Sequence, residues 1–275
     1  MDRRSLSEEA ASEALSLDEP RDIALAETDL RALTPARVSL ARTGNSITTR
    51  DNLAFARDHA QARDAVHAHL SLPTLLSELH DRGLEAVAVK SAAPDRATYL
   101  RRPDLGRTLG EAAKNALHAD VSEGTRPRLT IIIADGLSAL AADRNAIAVI
   151  DFLLPLVQAE WNITRVVIAE QARVALGDEI GAALGAQLAV MLIGERPGLS
   201  AADSLGAYIT WEPRLGRTNA ERNCISNIRS EGLSPKDAAR RIAYFAIEAR
   251  RLQSTGTSLK DPTDQPLLAE SQRAD

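Results

Sequence analysis

The run Leu188–Gly194, LAVMLIG, constrains the fold more than any other stretch. It carries no charge, ends on glycine, and is followed at once by Glu195, Arg196, Pro197 and Gly198. A short apolar run closed by turn residues reads as a strand buried on both faces, as in the middle of a parallel sheet. Ligands of open parallel sheets lie just past the carboxyl ends of the strands. Glu195 and Arg196 fall at that place. Pro197 stiffens the turn and Gly198 frees it. Taken alone, the pair reads equally well as solvated charges that close a strand.

Similar runs surround it. Leu129–Ala134, LTIIIA, and Thr164–Ala169, TRVVIA, are β-branched and apolar, and Ala207–Trp211, AYITW, alternates. Between them lie helical stretches: Ala139 to about Val157, Leu176–Leu184 closed by Gly185, and Lys236–Gln253 with Ser234 as N-cap and Pro235 at N1. This alternation predicts an α/β domain, a Rossmann-like parallel sheet with helices on both faces. Its ligand-facing loops are expected at Asp135–Ser138, Glu170–Val174, Glu195–Gly198 and Asn219–Ser226. Aromatic residues are 3% of the chain, so the core must be built from Ala, Leu, Ile and Val.

The preceding region reads as smaller and mainly helical. Thr43-Gly44-Asn45-Ser46 is a turn, and Thr48 or Thr49 caps a helix to about Leu70. Leu72–Gly83 and Gly110–Val121 are further helices. Val87 and Val89 suit a strand or an extended arm, and arginines crowd the turn at Pro103–Gly106. The expected organisation is a disordered tail over 1–28, a mainly helical region over 29–125, an α/β domain over 126–255 and a disordered tail over 256–275.

Several chemistries drop out. No GxGxxG follows a strand and no P-loop is present, which removes a dinucleotide oxidoreductase reading and a Walker-type nucleotide site. Gly136-Leu137-Ser138 lacks the closing glycine of a nucleophile elbow. All five histidines precede residue 120, so the α/β domain has no histidine base. His67 and His69 cannot share one helix face, and no metal motif is matched. The single cysteine, Cys224, excludes an internal disulfide and reads by itself as a small packing residue. The net charge of −5 speaks against nucleic acid. No segment has the length of a membrane span or the pattern of a secretory signal, so a cytoplasmic location is expected. The domain reads as built to bind rather than to run chemistry alone.

The runs LTPARVSLARTGNSITTRDNLAFARDHAQARDAVH (33–67), YLRRPDLGR (99–107), ADGLSA (134–139), GERPGLS (194–200) and NCISNI (223–228) closely resemble the small-subunit family of ethanolamine ammonia-lyase. The resemblance covers about residues 30–253 in the family's order. It implies an adenosylcobalamin-dependent lyase that converts ethanolamine to acetaldehyde and ammonia by a radical route. It also implies a large subunit that binds most of the substrate, a hetero-oligomer of both subunits, and in many bacteria packing into a microcompartment. The family's cobalamin contacts carry over to Val174 in EQARVAL, Glu195 in GERPG and Cys224 in NCISN; no catalytic residue and no protein metal ligand carries over. By charge and position, Arg173 and Arg196 are further candidates for the cofactor's nucleotide phosphate. No DxHxxG motif is present, so the cofactor is expected to keep its own dimethylbenzimidazole below the cobalt. The runner-up reading is a stand-alone cobalamin- or nucleotide-binding module without a catalytic role.

Overall fold

The structure is a computed structural model that describes residues 37, 38, 40, 42–117 and 126–261. The expected tail over 1–28 lies outside the described residues, as do 118–125 and 262–275. The chain divides into two units, residues 1–54 and 55–275. In the first, β1 (Arg42–Thr43) and β2 (Ser46–Ile47) form an antiparallel ribbon about the expected turn. Helix α1 (Thr49–His67) begins in the first unit and continues into the second, and Thr48 caps it by accepting from the Asp51 N–H at 3.2 Å.

The second unit is α/β. Its elements are α2 (Leu72–Asp81), β3 (Ala86–Lys90), α3 (Arg96–Arg101), α4 (Glu111–Ala116), β4 (Arg128–Ala134), α5 (Ala139–Val157), β5 (Asn162–Ile163), β6 (Val166–Glu170), α6 (Leu176–Ala183), β7 (Leu188–Gly194), β8 (Leu205–Trp211), β9 (Arg222–Ile228) and α7 (Pro235–Leu252). The strands lie in the order β3-β6-β4-β7-β8-β9, with β5 beside β4.

Side chains of β4 alternate between the two faces. Leu129, Ile131 and Ile133 pack with α2, α5 and α7, while Ile132 and Ala134 pack with α4 and α6. Alanines of α5 (Ala139, Ala142, Ala146) and α7 (Ala239, Ala243, Ala246) are buried in the first layer, which fits an aromatic-poor core. Trp161 and Trp211 meet edge-on at 6.3 Å. Among the described residues no helix is long and apolar enough to cross a membrane.

Two expectations are corrected. The sheet is mixed, not parallel throughout: β3, β6, β4 and β7 are parallel, but β8 is antiparallel to β7, and β9 to β8. The cause is connection length. A parallel return needs a crossover of a dozen or more residues, usually helical, and only Glu195–Ser204 joins β7 to β8. The stretch Asn219–Ser226, expected as a ligand-facing loop, is a short 3-10 turn at Asn219–Glu221 running into the edge strand β9. The strand or arm at Val87 and Val89 is β3, at the opposite edge. Within the expected C-terminal tail, Leu259 is buried and Asn223 Nδ2 donates to the carbonyls of Gly256 (3.2 Å) and Leu259 (2.7 Å).

Candidate functional site

The loops after β4, β6 and β7 leave the sheet at one end. The antiparallel β8 begins there too, since Gly194 pairs with Leu205. Asp135, directly after β4, is buried and held on three sides. It accepts from Arg96 Nη1 at 3.0 Å, the Gln171 N–H at 2.7 Å and the Ala172 N–H at 3.0 Å. Burial pushes its carboxyl up, opposed by Arg96 and these N–H groups. Arg96 also donates to the carbonyls of Val66 and Gly136. The Tyr99 hydroxyl donates to the carbonyls of Gly136 (2.8 Å) and Ala172 (2.9 Å), and the guanidinium groups of Arg96 and Arg173 lie over its ring at 4.8 and 4.4 Å. This buried cluster pins the β4 and β6 loops together. Its carboxylate is enclosed and fully partnered, so it positions the loops.

Glu195 is half-buried and fixed by one oxygen. Oε2 accepts from Ser204 Oγ at 2.5 Å and from the Asn227 N–H at 3.2 Å, while its own N–H donates to the Ser204 carbonyl. Oε1 has no hydrogen-bond donor among the described residues. It lies over Gly206, where an added Cβ would come within 3.1 Å of it. Cys224 is exposed on β9, opposite Tyr208 of β8, with Sγ 3.4 Å from Ser226 Oγ. The Tyr208 hydroxyl is pushed well above its usual range, first by burial and then by the Cys224 thiol and the Glu195 carboxylate. Tyr208 therefore lies across the ladder from Cys224 and within the electrostatic reach of Glu195. Sequence reasoning missed it, although the alternation of AYITW places it on one face.

Val174, in the loop before α6, is half-buried and packs on the same layer as Tyr208, Met191 and Ile193. It also borders a cavity of about 400 Å³ shared with Arg107, Arg173, Arg217, Thr218 and Arg222. Arg222 is buried and ion-paired with Asp178. Burial pushes the Asp178 carboxyl up to about 6, against the pull of Arg222. Arg196 is exposed on the loop and does not line this cavity. Val174, Glu195 and Cys224 thus come from three elements to one face of the sheet. Among the described residues, no group of three or more His, Cys, Asp or Glu side chains is placed to hold a metal ion. His118 lies outside them.

The comparisons with known proteins agree with one another. The family profile for the ethanolamine ammonia-lyase light chain (EutC) matches residues 26–260. The ethanolamine ammonia-lyase small subunit of Bradyrhizobium diazoefficiens is 53% identical over 236 residues, covering 85% of this chain and 89% of that protein. The protein of the same name from Xanthomonas campestris pv. campestris strain B100 is 49% identical over 251 residues, 90% and 91% of the two chains. That of Pseudomonas aeruginosa strain UCBPP-PA14 is 50% identical over 248 residues, 89% and 90%. Matches of this extent, over a continuous stretch that includes every element of the α/β unit, show that the chain belongs to the ethanolamine ammonia-lyase small-subunit family, a family of lyase subunits.

Proposed function

We propose that this chain forms one wall of an adenosylcobalamin site and acts as the smaller of two unlike subunits in the conversion of ethanolamine to acetaldehyde and ammonia. The observation that carries the cofactor reading is the Glu195 carboxylate. One oxygen is anchored by Ser204 and Asn227, and the other is left over a glycine on an open face. A carboxylate held this way accepts hydrogen bonds from amide or hydroxyl groups with little further ordering, and a corrin is fringed by amides. Cys224 offers a small, polarisable contact beside it, and Val174 an apolar one. The residues present therefore fit the group.

When bound, adenosylcobalamin supplies the carbon radical that begins the reaction. This chain's residues bind and orient the cofactor and exclude water from one side of it. Among the described residues no side chain at the site is arranged as an acid–base pair, and in this proposal substrate binding falls mainly to the large subunit. No DxHxxG motif occurs and no histidine follows His118, so no side chain of residues 126–255 would offer an imidazole to the cofactor's cobalt. We place the contact with the large subunit in residues 29–125 and the cofactor contacts in 126–255. The enzyme works in the cytoplasm, within a protein microcompartment where the host builds one.

The test is Glu195→Ala in the complex with the large subunit, with cobalamin affinity read by equilibrium dialysis. Losing a hydrogen bond to a charged group corresponds to a weakening of roughly tenfold or more, with the unfolding midpoint nearly unchanged. An unchanged affinity removes Glu195 from the site. Failure of the unaltered complex to bind cobalamin overturns the cofactor reading.

A further inference from the structure

Among the described residues four that are not glycine have positive φ: Gln171, Glu212, Asn227 and Gln253. Gln253 ends α7 and Glu212 follows β8, and each turns the chain out of its element. Their N–H groups go to backbone carbonyls, of Ala249 and Gln187. The other two differ. Each donates its N–H to a carboxylate just past the end of a strand: Gln171 to Asp135 at 2.7 Å, and Asn227 to Glu195 at 3.2 Å. Asparagine is one of the few side chains that suits the left-handed region, and glutamine is not.

Gln171 directly follows β6, is buried and has φ +56. Its side-chain amide donates to the carbonyls of Ala93 (2.6 Å) and Asp95 (3.3 Å), ahead of α3. The next N–H, of Ala172, also goes to Asp135, and that of Arg173 to the Gly106 carbonyl at 2.8 Å. Arg96 Nη1 donates to the same Asp135 oxygen as the Gln171 N–H, and Arg96 Nε to the Val66 carbonyl on α1. A strained backbone persists only where its surroundings over-determine it, and such residues gather at functional sites. Val174 lies three residues further on.

We propose that Gln171 is a positioning residue. Its left-handed backbone, locked by Asp135 and by its own amide on Ala93 and Asp95, sets the path of residues 172–174 and so where Val174 meets the cofactor. The inference rests on the cobalamin reading above. Without a full carboxylate at 135, a glutamine at 171 relaxes toward negative φ and carries Val174 with it. A glycine there has no steric reason to relax, whereas an alanine has.

The experiment compares the two-subunit complex carrying Asp135→Asn alone, with Gln171→Ala, or with Gln171→Gly. Equilibrium dialysis gives the hydroxocobalamin Kd and the number of sites per complex, and urea gives the unfolding midpoint. Asp135→Asn should raise Kd about five- to thirtyfold with the number of sites unchanged, the factor that one left-handed non-glycine residue is worth. Adding Gln171→Gly should bring Kd back to within about threefold of the unaltered complex, and adding Gln171→Ala should not. A purely structural role would instead lose sites and lower the urea midpoint at constant Kd, which overturns the proposal. Equal Kd values for the two double variants, or an unchanged Kd in Asp135→Asn, also overturn it while the cobalamin reading stands. Where Asp135→Asn does not fold, Arg96→Lys takes its place with the same expectations, since an ammonium keeps the charge and cannot reach Val66, Asp135 and Gly136 together. An unaltered complex that binds no hydroxocobalamin overturns the cobalamin reading itself.

Discussion

Arg222 does two jobs with one side chain. Its Nη2 pairs with Asp178 and donates to the Arg217 carbonyl, and its Nη1 donates to Asn219 Oδ1 at 3.2 Å. Arg222→Met keeps the apolar stem and leaves Asp178 buried without its cation. Breaking a buried pair this way costs about 3–5 kcal/mol. The loss depends on pH. Burial already holds the Asp178 carboxyl up at about 6 in the folded protein, against its ordinary value near 3.8. A raised carboxyl favours the folded state at low pH and loses that contribution as pH rises through the folded value. Without Arg222 the shift grows, so the deficit should be smaller at pH 5 than at pH 7.5 by urea unfolding. Equal deficits at both values would mean that Asp178 is not the source. This pair was not legible in the sequence, because residues 178 and 222 lie on α6 and β9 and nothing in either run marks them as neighbours. Glu195 was legible, since an apolar run closed by Gly194 leaves the next residue at a strand end. Its two anchors, Ser204 and Asn227, were not.

Among the elements, the turn after β4 and the end of β7 are packed against each other without spare room. Gly136 has φ +51, and an added Cβ would strike the Gly194 carbonyl and the Ile193 side chain. The Leu137 N–H donates to that carbonyl at 2.9 Å. Gly136→Ala therefore meets both an unfavourable backbone region and a collision, together about 2 kcal/mol or more of lost stability. Because Gly194 precedes Glu195, a shift that relieves the collision also moves the carboxylate. The expected outcome is a lower melting temperature and weaker cobalamin binding in the same variant. A variant with unchanged melting and affinity would show that the turn can yield at no cost. Periodicity was a good guide to which stretches become elements: α5 spans Ala139–Val157 and α7 opens with Ser234 and Pro235, as expected. It could not give strand direction. Direction follows from connection length, and the short links around β8 imposed the antiparallel half of the sheet. NCISNI also misled, because its polar residues suit a loop and equally suit the open face of an edge strand.

At the scale of the whole molecule, one open face can cover only part of a large cofactor. Ligand sites commonly enclose 70–90% or more of a small molecule's surface. Here Cys224 is exposed on the edge strand, Glu195 is half-exposed, and among the described residues nothing packs over them. Among the described residues Cys224 has no base beside it, and no histidine follows His118 in the sequence. On the proposed function, the large subunit supplies the opposite wall and the substrate contacts. The chain alone should therefore bind hydroxocobalamin at least roughly tenfold more weakly than the complex and show no deamination of ethanolamine, with activity appearing on mixing with the large subunit. Dialysis and an acetaldehyde assay on the chain, the large subunit and the mixture check this together. If the chain alone bound cobalamin as tightly as the mixture, the site would be complete within it, and the reading as a stand-alone binding module would replace that of a catalytic subunit.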